Sequence, residues 1–417
     1  MGIPMRLMIS FAALFLSVLL LQLSSGGLGP LDALSGLTLG FTTGEIGLLG
    51  SAHFVGFFVG CWWAPRLMGS VGHSRAFAAF TAVGAIGILG HMMVVNPLAW
   101  AVMRVMSGLC IAGCYTIVEA WLQSKVSNEL RARTMGTYRV VDMSGSLLAQ
   151  LVIGVLEPAA YVSYNLLAML CCAALVPLTL TRVQQPETPA APRLRPMLAV
   201  TRSPLAAAGV VVSAISAASF RMVGAVFGQE VGLSANQTAW FLAFFVLGGA
   251  VAQFPVGWLA DKFDRRWVLI WLSAGTIAVS GFTIATQSGG TWVVLANAFL
   301  FGMASFPIYS IASAHAHDFA ESHERVELSA ALMFFYAVGA IAAPYLSSLL
   351  IAGFGPYALF VMISAAHAAL VIFGLIRMSA RPAPTARTSY IWAPRTSFLV
   401  GRLTGRARDE GPHHRSE

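Results

Sequence analysis

Apolar stretches of about 20 residues, separated by short polar turns, run through most of the chain. A helix of that length crosses the hydrocarbon core of a bilayer. Because backbone groups in lipid must be hydrogen-bonded within the protein, each stretch is predicted to be a transmembrane α-helix. The pattern predicts twelve of them, an all-α membrane protein. Their ranges are 7–27, 42–64, 76–95, 97–123, 134–156, 160–181, 204–228, 236–260, 267–287, 290–316, 328–352 and 355–377.

The first stretch has two interpretations. Arg6 precedes an apolar core and the small residues 24–26 follow it, which is the order found in a secretory signal peptide. The apolar core is long, however, and eleven further spans come after it. We therefore predict that the first helix is retained.

Charge is distributed unevenly between the two sets of loops. All but three of the 25 Lys and Arg residues lie in the N-terminal segment, alternate loops, segment 182–203 and the tail. The opposite loops contain no Lys or Arg and hold Asp32, Glu157 and Glu230. The positive-inside rule places the basic side in the cytoplasm. We predict a multi-pass protein of the bacterial cytoplasmic (inner) membrane, with an even number of spans and both termini cytoplasmic.

Composition agrees with a lipid environment. Hydrophobic residues make up 57% of the chain and charged residues 10%, with a mean hydropathy of +0.76, whereas a soluble protein carries about 25% charged residues. Membrane lipid is therefore an expected partner. The net charge of +8 is explained by orientation and does not indicate nucleic acid. The five cysteines lie in apolar runs and are predicted to be small core residues without disulfides.

Segment 182–203 is rich in Pro and Arg and is predicted to be an extended cytoplasmic linker. It separates a six-helix bundle over 1–181 from a second over 204–377. The basic tail over 378–417 is predicted to be disordered, and the alternative is that residues 390–402 bind the anionic inner leaflet.

The two halves resemble repeats. At an offset of 194, identical residues recur in helices 4 and 10, in the loops that follow them, and in helices 5 and 11. The pairs are Gly108 and Gly302, Tyr115 and Tyr309, Arg131 and Arg325, and Gly145 and Gly339. The pattern predicts duplication of a six-helix unit.

One loop carries a family signature. Residues 257–266 read Gly-Trp-Leu-Ala-Asp-Lys-Phe-Asp-Arg-Arg, and so many charges predict a tight loop outside lipid. The segment resembles the Gly-x-Leu-x-Asp-Arg-x-Gly-Arg-Arg signature of the major facilitator superfamily of secondary transporters, with Asp264 at the usual Gly. The loop at 60–75 keeps the glycines and basic residues of this signature but lacks its Asp.

The resemblance implies two halves around a central cavity lined by helices 1, 4, 7 and 10. It also implies that Asp261 docks on a helix N-terminus, near Arg325 at the start of helix 11, and latches the cytoplasmic gate. The implied gating residues are Gly257, Asp261, Lys262, Arg265 and Arg266.

Ionisable residues inside spans are costly and mark transport pathways. Arg139 and Asp142 share a face of helix 5, and Glu119 lies at a similar depth on helix 4. Our hypothesis is that Arg139 is shared by the two carboxylates and that one of them takes up a proton. The alternative is a static packing triad. The candidate substrate and proton pathway is Arg104, Tyr115, Glu119, Arg139, Asp142 and Arg221.

Two of these arginines, Arg104 and Arg221, each have two possible interpretations. Arg104, followed by Gly108 and Gly113, resembles the helix 4 motif of the superfamily, which implies proton transfer or anion binding. Its alternative is snorkelling to the outer interface. Arg221 has no acidic residue on its own helix, so it either pairs with Asp142 across the halves or meets an anionic substrate.

Segment 315–324 is rich in histidine and acidic residues. Metal binding is one interpretation of this segment, and a solvated loop is the interpretation we expect. We therefore expect no metal, no cofactor and no catalytic residue. The sequence contains no nucleotide-binding loop of the Gly-x-x-x-x-Gly-Lys type, so it does not indicate a transporter driven by ATP.

The predicted function is a monomeric secondary active transporter of a small solute, coupled to protons. The alternatives are a membrane-embedded enzyme and a non-transporting sensor.

Overall fold

The protein is described from a computed structural model, which describes residues 5–125, 128–180 and 193–380. The regular structure in these ranges is helical. The helices are α1 (Met5–Thr38), α2 (Thr43–Val71), α3 (His73–Gly90), α4 (Pro97–Lys125), α5 (Asn128–Ile153), α6 (Tyr161–Ala173), α7 (Leu175–Leu180), α8 (Pro196–Arg202), α9 (Pro204–Glu230), α10 (Ala235–Lys262), α11 (Arg265–Ala285), α12 (Thr291–Ser305), α13 (Ile308–His317), α14 (Arg325–Phe354) and α15 (Ala358–Ala380), with a 3-10 turn at Ser322–Glu324. The tail beyond 380 and linker residues 182–192 lie outside the described residues.

Every predicted span overlaps a helix or a pair of consecutive helices. Within the described residues, ten helical stretches are long and apolar enough to cross a membrane, against twelve predicted. The two predicted spans missing from this set correspond to α3 and α5. Polar and charged residues explain both cases: α3 begins His73-Ser74-Arg75, and α5 contains Arg139 and Asp142.

The predicted end of the first span was wrong. Helix α1 runs eleven residues beyond position 27, to Thr38, and passes through Pro30. Leu28, Leu31 and Leu34 on the added turns are buried. Their packing outweighs the helix-breaking tendency of the glycine and proline nearby. Asp32 therefore lies inside a helix and not in an outer loop.

Glycines allow two equivalent helix crossings. Gly56 of α2 and Gly108 of α4 each face the backbone of the other helix, at Val105 and His53. Gly248 of α10 and Gly302 of α12 make the same reciprocal contact. A side chain at any of the four glycines would collide with backbone atoms, so the close approach depends on glycine.

The two ends of the bundle differ. We call the end with the α2–α3, α10–α11 and α13–α14 turns the basic end, and the other the opposite end. The chain halves before and after α8 touch each other near the opposite end, where Gly47 packs on Ser348 and the Ser51 hydroxyl accepts from the Tyr345 amide at 3.2 Å. Nearby, Gly154 packs on Asn236.

The second part of the linker is helical, and the prediction of an extended segment was wrong there. Helix α8 buries Leu198 and Ala199, and this apolar contact offsets the cost of ordering the segment. Ion pairs to the basic end hold it in place. They join Arg202 to Glu321 at 3.1 Å, Arg202 to Glu324 at 2.6 Å, and Arg195 to Glu327 at 3.0 Å.

We expect docking of α8 to weaken in acid. The hydrogen bond from Arg202 holds the pKa of Glu324 below its ordinary value of 4.5. A carboxyl with a lowered pKa contributes stability above its ordinary pKa and loses that contribution as the pH falls through the lowered value. A nitroxide at position 197, in a Cys172→Ser background, should be immobile near neutral pH and mobile in acid. In Arg202→Gln it should be mobile already at neutral pH; an unchanged spectrum in that variant would contradict the ion-pair explanation.

Candidate functional site

A cavity of about 110 Å³ lies inside the bundle and is lined by both halves of the chain. Its first-half walls come from α1, α2, α4 and α5, and its second-half walls from α9, α14 and the α12–α13 junction. The polar lining residues are Gln22, Ser25, His53, Tyr115, Arg139, Asp142, Gln150, Arg221 and Tyr336. An apolar surface faces them, formed in part by Phe54, Phe57, Ile111 and Phe306. Four of the six predicted pathway residues thus share one space: Tyr115, Arg139, Asp142 and Arg221.

Asp142 is the centre of a group of hydrogen-bonded polar side chains in this cavity. Its Oδ2 accepts from Arg139 at 2.9 Å, and its Oδ1 accepts from the Tyr115 hydroxyl at 2.5 Å and from the Gln22 amide at 2.7 Å. Asp142 is 4% exposed. Three helices therefore supply the donors that stabilise one buried carboxylate. This carboxylate would lose most of that stabilisation on taking up a proton.

The predicted three-residue arrangement around Arg139 is present in part. The Arg139–Asp142 contact is formed, one turn along α5. Glu119 is fully buried and accepts from the Tyr138 hydroxyl at 3.0 Å. Sequence reasoning missed Tyr138 because a tyrosine in an apolar span carries no charge to mark it.

Arg221 projects from α9 into the same cavity. Its Nη2 donates to the Ser146 hydroxyl of α5 at 2.9 Å, which joins the two halves of the chain. The predicted pairing of Arg221 with Asp142 is not formed, because the Asp142 oxygens accept from Arg139, Tyr115 and Gln22. The interpretation of Arg221 as a substrate contact stays a prediction.

A second buried network lies toward the opposite end, around Asp32. Arg104 Nε and His91 Nε2 lie 3.5 Å and 3.4 Å from Asp32 Oδ2, and Tyr164 donates to Oδ1 at 3.0 Å. Arg104 is 1% exposed, so the interpretation that it snorkels to the interface was wrong. It also reaches the second half, with Nη2 at 3.4 Å from Met222 Sδ.

Sequence reasoning placed Asp32 in a loop and took His91 as a packing residue. The sequence did contain a signal: Leu28, Leu31 and Leu34 are spaced three residues apart, which continues the helical period past Pro30. The network connects to the cavity through His53, whose Nδ1 lies 3.3 Å from the Ser107 hydroxyl. That hydroxyl donates to the Arg104 carbonyl at 2.9 Å.

The signature segment forms the last turns of α10, a two-residue turn and the start of α11. Arg265 is buried and donates to Asp318 at 2.7 Å and to the Ala314 carbonyl at 3.0 Å. Asp261 is 53% exposed, 3.6 Å from Arg265. The predicted docking of Asp261 near Arg325 stays a prediction, and the buried carboxylate on Arg265 belongs to Asp318.

The other signature residues have local partners. Asp264, which stands where the signature has Gly, caps α11 by accepting from the Arg266 amide at 3.0 Å and pairs with the Arg266 side chain at 2.7 Å. Lys262 lies over the Trp258 ring, 4.8 Å from its centroid. Gly257 is buried in α10.

The histidine and acidic residues after α13 are dispersed. Asp318 is buried on Arg265, Glu324 bonds Arg202, and His317 lies between the Ser313 carbonyl at 2.7 Å and the Ser329 hydroxyl at 3.2 Å. Across the described ranges, no group of three His, Cys, Asp or Glu residues is placed to hold a metal ion.

Asp318→Asn should destabilise the protein more than Asp261→Asn. The first substitution leaves the buried Arg265 without its close carboxylate and should cost about 2 kcal/mol or more. The second removes an exposed partner and should cost about 1 kcal/mol or less. Equilibrium unfolding in detergent compares the two variants directly. Equal losses would show that burial does not distinguish the two carboxylates.

Comparisons with known proteins agree with this architecture. A model of the Major Facilitator Superfamily matches residues 205–406. An uncharacterized MFS-type transporter of Enterobacter sp. (strain 638) is 26% identical over 352 residues, covering 82% of this chain and 89% of that protein. The uncharacterized MFS-type transporter YcaD of Salmonella heidelberg (strain SL476) is 25% identical over 375 residues, covering 89% and 97%.

Solved structures show the same fold. The nucleoside transporter NupG superposes with a TM-score of 0.71 at 12% identity, covering 90% of this chain and 100% of that one. A bacterial homolog of the human lysosomal transporter Spinster, inward-facing and unoccupied, gives 0.68 at 15% identity, covering 97% and 98%. A D-xylose-proton symporter gives 0.65 at 13%, covering 91% and 98%.

Proposed function

The chain belongs to the major facilitator superfamily, and we propose that it is a secondary active transporter that moves a small solute by alternating access, coupled to protons. The observation that carries the proposal is the cavity shared by both halves, with one buried carboxylate, Asp142, among its walls. A site at the interface of two halves is where rocking of one half against the other changes access.

The proposal includes twelve spans in two related six-helix halves. Helices α3 and α5 supply the two spans beyond the ten of sufficient length and hydropathy. The reciprocal glycine crossings, Gly56 with Gly108 and Gly248 with Gly302, support a repeated unit. By the positive-inside rule the basic end faces the cytoplasm of a bacterium, and both termini lie on that side of the inner membrane.

Asp142 is the proposed proton site. Its charge is stabilised by Arg139, Tyr115 and Gln22, which come from three different helices. Because a rocking motion changes distances between helices, it changes the stability of the charged carboxylate and hence its proton affinity. Proton uptake in one orientation and release in the other would then couple the proton gradient to transport.

The contacts between halves near the opposite end support closure of the cavity on that side. Ser51 meets Tyr345, Gly47 meets Ser348, and Gly154 meets Asn236. These contacts involve small side chains and few hydrogen bonds, so they can separate at modest cost when the halves rock.

The test uses proteoliposomes loaded with a bacterial metabolite extract under an imposed pH gradient. Mass spectrometry of the lumen and the bath should find at least one metabolite that moves only with the protein present. The movement should stop when an uncoupler collapses the gradient. No protein-dependent movement of any metabolite would contradict transport, and movement insensitive to the uncoupler would contradict proton coupling.

A further inference from the structure

The cavity contains an unequal number of cationic and anionic side chains. Its titratable lining residues are His53, Tyr115, Arg139, Asp142, Arg221 and Tyr336. Two of these are guanidinium groups and one is a carboxylate. Tyrosine and an unprotonated histidine are neutral, so the described walls carry a net positive charge near neutral pH.

The surplus charge belongs to Arg221. Arg139 has its counter-charge in Asp142, at 2.9 Å. Among the described residues, the neutral Ser146 hydroxyl is the only hydrogen-bond partner of Arg221, and no carboxylate lies within 4.0 Å of it. Both oxygens of Asp142 already accept from other donors. A guanidinium that lines a cavity without a counter-ion attracts an anion.

We propose that the substrate is a small organic anion whose carboxylate binds Arg221 on α9, with Arg139 on α5 as the second cation. This inference rests on the proposed transport function and specifies its substrate class. A guanidinium can bind a carboxylate through two parallel hydrogen bonds. Because the two arginines come from different halves, one anion would contact both halves at once.

The size and lining of the cavity narrow this class further. A cavity of roughly 150 Å³ holds benzene, and the cavity here is about 110 Å³. Phe54, Phe57 and Phe306 form an apolar wall beside the charged groups. The expected ligand therefore has a carboxylate at one end and a small apolar body.

Protonation of Asp142 strengthens the same site. A proton on Asp142 removes the negative charge 2.9 Å from Arg139, so the net positive charge of the lining that faces the anion increases. Proton and anion then bind together, which is the coupling that a symporter needs. The charged and titratable groups that line the cavity with Asp142 are Arg139 on its own helix, His53 on α2, Tyr115 on α4, Arg221 on α9 and Tyr336 on α14; α1 contributes the neutral Gln22. Glu119 on α4 is buried beside Tyr138.

A purely structural role for Arg221 is the competing explanation. Its hydrogen bond to Ser146 joins α9 to α5, and that bond could stabilise one conformation without any contact to substrate. Ser146→Ala removes the bond and keeps the charge. Arg221→Gln removes the charge and keeps a donor. The two variants therefore separate the two roles.

The experiment uses the full chain in proteoliposomes under an inward pH gradient. The probes are the anionic, neutral and cationic fractions of a bacterial metabolite extract, separated by ion exchange. Protein-free liposomes correct for weak acids that cross lipid unaided. Exposed Arg193→Gln is the control that removes the same charge elsewhere. Uptake is expected from the anionic fraction only. It should fall at least tenfold in Arg221→Gln and be retained in Ser146→Ala and Arg193→Gln.

The possible outcomes are distinguishable. Uptake from the neutral or cationic fraction alone would agree with proton-coupled transport but would contradict the inference that the substrate is an anion. Anion uptake that survives in Arg221→Gln, or is lost equally in Ser146→Ala, overturns the role of the Arg221 charge. No uptake from any fraction contradicts the proposed transport itself, and the substrate inference fails with it.

Discussion

Asp142→Asn is expected to abolish accumulation of substrate against its gradient while exchange of substrate between the two sides continues. Asparagine keeps the size of the side chain and can still bond Tyr115 and Gln22, but it does not take up or release a proton. The variant resembles the protonated state permanently. Uptake driven by a pH gradient should therefore fall to the level of protein-free liposomes.

Measurements of both modes at several pH values test this expectation. Wild-type uptake should depend on pH, whereas exchange by Asp142→Asn should not. Asp142→Glu, which keeps a titratable group near Arg139, is the matched control and should retain part of the driven uptake. Normal accumulation by Asp142→Asn would assign the proton to another group, and Glu119, buried beside Tyr138, would be the next candidate.

Removing the charge of either Asp32 or Arg104 alone is expected to lower the free energy of unfolding more than any other substitution considered. Both side chains are almost completely buried, at 1% and 2% exposure. Asp32→Asn or Arg104→Gln leaves a buried charge without its partner, which costs about 3–5 kcal/mol. The double variant has neither charge and should recover a large part of that loss.

Equilibrium unfolding of the four proteins in detergent gives the coupling free energy between Asp32 and Arg104. His91 and Tyr164 also contact Asp32, so recovery in the double variant should be incomplete. Arg75→Gln, exposed on α3, is the control for loss of one positive charge. Additive losses in the double variant would show that the two side chains stabilise the fold independently.

Much of the helical architecture could be predicted from the sequence because a transmembrane helix is predominantly apolar over about 20 residues. The ionisable residues of the cavity were also predictable, since Arg139, Asp142 and Arg221 stand out in apolar surroundings. The spacing of Arg139 and Asp142 on one helix face even indicated their contact, which the structure shows at 2.9 Å.

Contacts between helices were less predictable, because they depend on depth and rotation that no single segment specifies. Asp32 appeared to follow the first span because Pro30 lies between them, yet packing of the flanking leucines extends α1 past both. At the basic end, the signature indicated Asp261 as the gating carboxylate. The carboxylate buried against Arg265 is Asp318, which is distant in sequence and lies outside the signature.

Measuring the distance between the turn after α5 and the start of α10, at the opposite end, tests alternating access most directly. Spin labels at Val155 and Asn236, both exposed, in a Cys172→Ser background would report whether the halves separate there. Proton-coupled alternating access requires a short and a longer distance, in proportions that change between neutral and acidic pH, with that pH dependence lost in Asp142→Asn. A single short distance at every pH, unchanged when a transported metabolite is present, would contradict the proposed mechanism.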